Sequence, residues 1–113
     1  MSTENNCVTG EAWEAIKEEW REIKATTEGL LQNPTIRTRD CIEALEQYRV
    51  WCMDHNCLDR LILKDVDITR YHTELVRWDF TDYKLVHCHI AGVYLSCCSF
   101  TRTDFDECYI YGV

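Results

Sequence analysis

A five-residue beat constrains this chain more than any other feature. Phe80, Leu85, Ile90, Leu95, Phe100, Phe105 and Ile110 recur at every fifth position without a slip. Reading backwards, Leu75 keeps the step, and Leu58, Leu63 and Ile68 share it across a two-residue insertion around 70–73. When residues 78–93 are laid over 98–113, six of sixteen positions are identical: Phe80/Phe100, Thr81/Thr101, Cys88/Cys108, Ile90/Ile110, Gly92/Gly112 and Val93/Val113. Chance gives about one, so the chain carries a repeat of twenty residues. Two residues before successive anchors stand Cys88, Val93, Cys98, Thr103 and Cys108, mostly small side chains suited to a crowded axis. An apolar period of five matches neither the helical period of 3.6 nor the strand period of 2. It suits a chain that turns a corner every five residues and closes a four-sided coil every twenty. Such a solenoid writes its surface independently of its core.

The anchors and their small partners resemble the pentapeptide-repeat proteins, and the resemblance covers about residues 58–113. It implies a right-handed quadrilateral β-helix. The family favours Asp or Asn just before the anchor, as at Asp67, Asp79 and Asp104, whereas Lys84, His89, Tyr94 and Tyr109 depart from that pattern. Trp78 and Tyr83 exceed an ordinary interior slot, so the early coil is expected to be widened or capped there. The expected fold class is therefore α+β, with a two-helix cap over residues 1–57 and a short β-helix over 58–113, as one unit.

The N-terminal part reads as helical. From Gly10 to Leu31, Trp13, Ile16, Trp20, Ile23 and Leu30/Leu31 follow three- and four-residue spacings, with Thr27 in the remaining slot. Lys17, Arg21 and Lys24 flank that face, and Glu11, Glu14, Glu18, Glu19 and Glu22 fill the opposite sector. Gln32-Asn33-Pro34 ends the helix, because proline removes a donor and disfavours helical geometry before it. A second helix is expected over Thr38–Asp54, with Asp40 and Glu43 in capping-box spacing and Asn56 as a stop. Two such helices can cover the first coil, whose open end otherwise exposes unpaired strand backbone.

Charge restricts the partners. The chain of 113 residues has a net charge of −8, with eleven acids against six bases in 1–57 and nine against six in 58–113. Direct nucleic-acid binding needs Lys and Arg to displace counterions, so this balance opposes it and permits carboxylates presented to a basic protein surface. A twenty-residue register predicts favourable neighbours at Asp82 and Arg102, Lys84 and Asp104, and His87 and Glu107. No apolar run approaches the roughly 18–20 residues of a membrane span. The opening Met1–Val8 has no secretory pattern, so a cytoplasmic protein with reduced thiols is expected. Of the eight cysteines, Cys88, Cys98 and Cys108 fall on the inward position as small apolar residues.

Chemistry is sparse. Cys52, His55 and Cys57, with Cys41, offer soft metal ligands but lack paired zinc-knuckle spacing, and His87 and His89 are expected to face outward around Cys88. No phosphate loop, nucleophile elbow or zincin motif occurs in the sequence. The expectation is a non-enzyme without cofactor or metal.

Several pentapeptide-repeat proteins are similar to DNA in width and charge and bind DNA gyrase. The small acidic physique is also similar to phage-encoded anti-CRISPR proteins. Together these imply a non-enzymatic acidic inhibitor that blocks DNA access to a nucleic-acid-binding complex, with a CRISPR effector ahead of gyrase. The carboxylates expected to meet the partner are Glu11, Glu14, Glu18 and Glu22 on the helix. In the repeat they are Asp79, Asp82, Asp104, Asp106 and Glu107. The alternative is a plain protein-interaction module binding through Trp78, Tyr94, Tyr109 and Tyr111. In either case the final rung is expected to pair with a partner or a second copy.

Overall fold

The computed structural model describes residues 7–33, 35–68, 77–93 and 98–112. Helix α1 runs Gly10–Leu31 and helix α2 runs Thr38–Asp54, both where apolar spacing places them. In α1, Trp13 and Trp20 meet edge to face with ring centroids 5.3 Å apart. Thr27 is buried on the same face and returns its hydroxyl to the Ile23 carbonyl at 2.7 Å, so its polarity is satisfied within the helix. The expected capping box does not form at the start of α2. Arg37 is the N-cap without a side-chain cap bond, and Asp40 faces Arg37 at 3.5 Å instead. Asn56, just past α2, takes a left-handed backbone (φ 55°) that ends helical propagation.

A single 3₁₀ turn (Leu58–Arg60) leads into six short strands: β1 (Ile62–Lys64), β2 (Asp67–Ile68), β3 (Lys84–Val86), β4 (His89–Val93), β5 (Asp104–Asp106) and β6 (Tyr109–Gly112). They alternate between two parallel sheets, β1-β3-β5 and β2-β4-β6. Leu85 lies beside Phe105 and Ile90 beside Ile110, a step of twenty. Leu63 lies beside Leu85 and Ile68 beside Ile90, two residues further apart. The anchors Leu75 and Leu95 and the insertion at 70–73 lie outside the described residues.

The closed quadrilateral β-helix expected for 58–113 is overturned. Among the described residues the ladders occupy two sheets, and elsewhere there is only an isolated bridge between Asp79 and Ser99. The physical reason lies in the core. Trp78 and Tyr83 are too large for a narrow axis that closes on itself, and with Phe80 they share one cluster with Leu31, Leu45, Tyr48 and Cys52 of the helices. The Tyr83 hydroxyl donates to the Leu45 carbonyl at 2.6 Å, tying the sheet interior to α2. The fold is α+β, with the helices completing a core that the strands do not enclose.

Each sheet-to-sheet turn is built on a non-glycine residue with positive φ: Asp65 (58°), His87 (52°) and Glu107 (53°). A second pair of stacked turns places Asp82 (70°) under Arg102 (54°) in the same way. Such conformations cost roughly 1 kcal/mol each for a residue bearing a Cβ. Cross-turn pairs stand against that cost. Arg102 binds Asp82 through two bonds of 2.6 and 3.2 Å, and His87 lies 3.6 Å from Asp65 and 2.5 Å from Glu107. The inward cysteines follow the same repeat. The Cys88 thiol points to the Leu63 carbonyl at 3.5 Å, and the Cys108 thiol to the Leu85 carbonyl at 3.2 Å. Among the described residues, no helix is long and apolar enough to cross a membrane.

Candidate functional site

The two ends of the strand stack differ, and the difference locates the candidate site. At the first end the edge of β1 is satisfied by the helices. Tyr48 accepts from the Ile62 amide at 3.2 Å, and its own hydroxyl hydrogen lies between the carbonyls of Arg60 (3.0 Å) and Ile62 (3.1 Å). Glu28 of α1 accepts the Lys64 amide at 2.7 Å while Lys24 holds the same carboxylate oxygen at 2.9 Å. The Trp20 indole donates to the Arg60 carbonyl at 2.7 Å. An edge covered in this way cannot template another strand.

The last end has no such cover among the described residues. In the middle layer the Tyr83 carbonyl accepts from the Asp104 amide (3.0 Å), and the His87 amide donates to the Asp106 carbonyl (2.8 Å). Their equivalents one layer on are the Thr103 carbonyl and the Glu107 amide, which face outward with no partner among the described residues. The Cys108 carbonyl stands likewise, because its equivalent in Cys88 receives the Tyr109 amide at 2.9 Å. The same register position goes from fully buried at Leu63 and Leu85 to 48% exposed at Phe105. Phe100, Phe105, Cys108 and Ile110 line an open hollow of about 460 Å³, and Tyr109 and Tyr111, which alternate with Ile110 on β6, are exposed. Asp104 and Asp106 flank Phe105 on β5, both exposed and both without an ion-pair partner among the described residues.

The nine carboxylates expected to meet a partner divide into distinct environments. Asp79 is committed internally. Arg49 of α2 reaches its carboxylate at 3.2 Å, and the Thr81 amide donates to it at 3.0 Å. Burial works against the Asp79 charge, but the Thr81 hydrogen bonds and the Arg49 charge outweigh it and hold the pKa below the ordinary value. Asp82 is clasped by Arg102, with only 14% of its side chain exposed, and Glu107 is bonded to His87. On α1, Glu14 pairs with Lys17 at 2.7 Å and Glu18 with Arg21 at 2.6 Å, while Glu11 and Glu22 are exposed with no such partner among the described residues. The open acids are therefore the outer face of α1 and the pair Asp104 and Asp106.

The aromatic residues expected to bind divide too. Trp78 is buried in the core, stacked on Phe80, and Tyr94 lies outside the described residues. Tyr109 and Tyr111 are exposed, each with its ring close to His89. Sequence reading missed a second hollow, between the helices, lined by Ile23, Glu46, Gln47, Val50, Trp51 and Asp54. Within its lining, Val50 is a large apolar residue left exposed on α2.

The thiols lie apart from these surfaces. Burial pushes up the Cys52 and Cys57 pKa values, and it raises that of Cys88 from 9.0 to about 11. These groups are held as thiols at neutral pH, the opposite of what a cysteine nucleophile or metal ligand needs. His55 turns away from Cys52 and Cys57, stacking on Trp51 at 4.1 Å with its Nδ1 at 2.8 Å from the Trp51 carbonyl. Among the described residues no three His, Cys, Asp or Glu side chains converge on a point where a metal could sit.

No known family model matches this sequence, and comparison with curated proteins and with solved structures returned no match.

Proposed function

We propose that this protein works by binding another protein, as a small acidic module that occupies a basic surface and keeps nucleic acid away from it. The observation that carries the reading is the end of the strand stack that no described residue covers. There an apolar hollow lined by Phe105 and Ile110 opens at the end of β5 and β6. The alternate positions of the same strands carry Asp104, Asp106, Tyr109 and Tyr111, all exposed, the two carboxylates without an ion-pair partner among the described residues. Apolar and aromatic groups supply contact area, while the carboxylates favour a basic partner and speed encounter. A net charge of −8 adds a long-range field of the same sign. By the physique of the chain, the partner is a nucleic-acid-handling complex, with a CRISPR effector ahead of DNA gyrase.

A second surface has its own support. Glu11, Glu14, Glu18 and Glu22 are exposed along one side of α1, spaced like a ridge of charge. Binding through that ridge would be almost wholly electrostatic, and its salt dependence would be steep. Binding through the uncovered end would retain an apolar component.

The test is displacement of double-stranded DNA from a purified CRISPR surveillance complex, with gyrase run in parallel and salt varied. Two charge-reversal triples separate the surfaces: Glu14, Glu18 and Glu22 to Lys, and Asp104, Asp106 and Glu107 to Lys. The second triple is expected to lose displacement and the first to keep most of it. Equal displacement by the parent and both triples would discard the reading.

A further inference from the structure

We propose that the uncovered end takes up one extended, basic segment of the partner as an additional strand on β5, recognising alternation of Lys or Arg with an apolar residue. This rests on the reading of the protein as an acidic binding module and adds which chemistry it selects. The backbone part of the argument is the outward Thr103 carbonyl and Glu107 amide, groups whose counterparts in the layer below are already bonded to a neighbouring strand. An edge with aligned free donors and acceptors binds extended chain through its main chain, and the side chains at alternating positions set specificity.

The side-chain part comes from a template inside the molecule. On the inner side of β5 lies β3, and there Lys84 stands beside Asp104, Leu85 beside Phe105 and Val86 beside Asp106, so a basic residue opposite Asp106 goes beyond what the template itself provides. Residues directly opposite in a sheet interact pairwise, with opposite charges favourable and like charges unfavourable. On the free side, the residue opposite Phe105 meets a half-exposed ring at the mouth of the hollow. The residues on either side of it meet Asp104 and Asp106. The preferred sequence is thus cationic, apolar, cationic, and it reads the same in a parallel or an antiparallel strand.

The same arithmetic disfavours a second copy through β5. A two-fold pairing centred on Phe105 sets Asp104 of each copy opposite Asp106 of the other, bringing four carboxylates together. A basic segment removes that repulsion, and the complementarity of charge selects it over self-association.

The experiment uses the full chain, isotopically labelled, titrated with a short end-capped peptide of alternating lysine and valine. A matched peptide of alternating glutamate and valine is the control. Amide shifts confined to residues 100–111, with the lysine peptide bound and the glutamate peptide not, are the expected result. The Asp104→Asn, Asp106→Asn double variant should weaken the lysine peptide about tenfold, since two opposite-charge pairs are lost. Phe105→Asp should abolish binding, and its helical circular dichroism should match the parent because the ring is already half exposed. If the lysine peptide shifts no residue of β5 while the parent still displaces DNA from its target, the strand proposal fails and the acidic-module reading stands on α1. If the parent displaces no DNA but the lysine peptide binds at β5, the module reading fails and the strand site stands. If sedimentation shows a dimer that Phe105→Asp dissociates, a second copy occupies the edge and the basic-segment proposal is overturned.

Discussion

The first and last layers of the strand stack are made from the same repeat, yet they meet opposite fates. Leu63 and Phe105 hold the same position, and the first is sealed while the second lies half open. The repeat does not make the difference. Two residues far from it do: Tyr48 on α2 and Glu28 on α1 supply the hydrogen bonds that a preceding strand would have supplied. An edge strand is thus converted into an interior one by side chains alone. At the other end nothing among the described residues does this, so the same backbone remains able to bind.

The largest way to break the contrast is to remove the cover. Tyr48 is fully buried, and Tyr48→Ala takes away an aromatic ring and leaves the Ile62 and Lys84-side ladder under an unsatisfied edge. A loss of about 3–5 kcal/mol is expected in urea denaturation, enough to remove much of the stability of a chain this size. Tyr48→Phe, which keeps the ring, should cost less, about 1–3 kcal/mol, by deleting the hydroxyl from a buried network.

Next comes the matched truncation along one register position. Leu85→Ala should cost about 2–5 kcal/mol, because the site is fully buried. Phe105→Ala, one layer on, should cost about 1 kcal/mol, in proportion to the smaller area it removes from water. Equal losses at the two positions would mean that the last layer is covered in solution, and the contrast would collapse.

Protonation sharpens the comparison of buried and exposed groups. The folded Asp79 pKa is depressed, so its contribution is present above the ordinary carboxylate range and is lost as pH falls through the folded value. Asp79→Asn should flatten the acid limb of a stability-against-pH curve. Cys88 has the reverse sign. Its folded pKa is raised, so its contribution is complete below pH 9.0 and disappears as pH climbs towards about 11. Cys88→Ala should make the alkaline limb shallower. The smallest effect belongs to the turns. Arg102→Gly relieves a left-handed backbone but loses the pair with Asp82, and the two oppose each other, so the midpoint of thermal unfolding should move little.

Much of the local order was legible in the sequence. The step of twenty that sets Leu85 beside Phe105 follows from residue identities, and the two helices follow from apolar spacing and the stop before residue 34. The architecture was not legible there, because a five-residue beat fixes which side chains point inward but not which sides of a turn carry paired strands. The deciding residues, Tyr48, Leu45 and Glu28, act across 14 to 38 positions and leave no periodic trace. Among the expected partner-binding acids, Asp82 and Glu107 were already matched to Arg102 and His87 by the register itself. Asp79 needed Arg49, a contact between separate elements that only the folded chain displays. Asp104 and Asp106 remained open because the position beyond them is vacant among the described residues.

One further consequence follows from Glu28 and Tyr48 sitting where a strand would otherwise add. Repetitive sheets that are open at both ends polymerise head to tail, since every subunit that joins presents a fresh edge for the next. Here the β1 edge is plugged from within, so a subunit or partner that lands on β5 meets no second acceptor at the far edge of that sheet. Growth through these edges stops after one addition. The chain carries a repeat that could propagate, and two side chains make it a terminator.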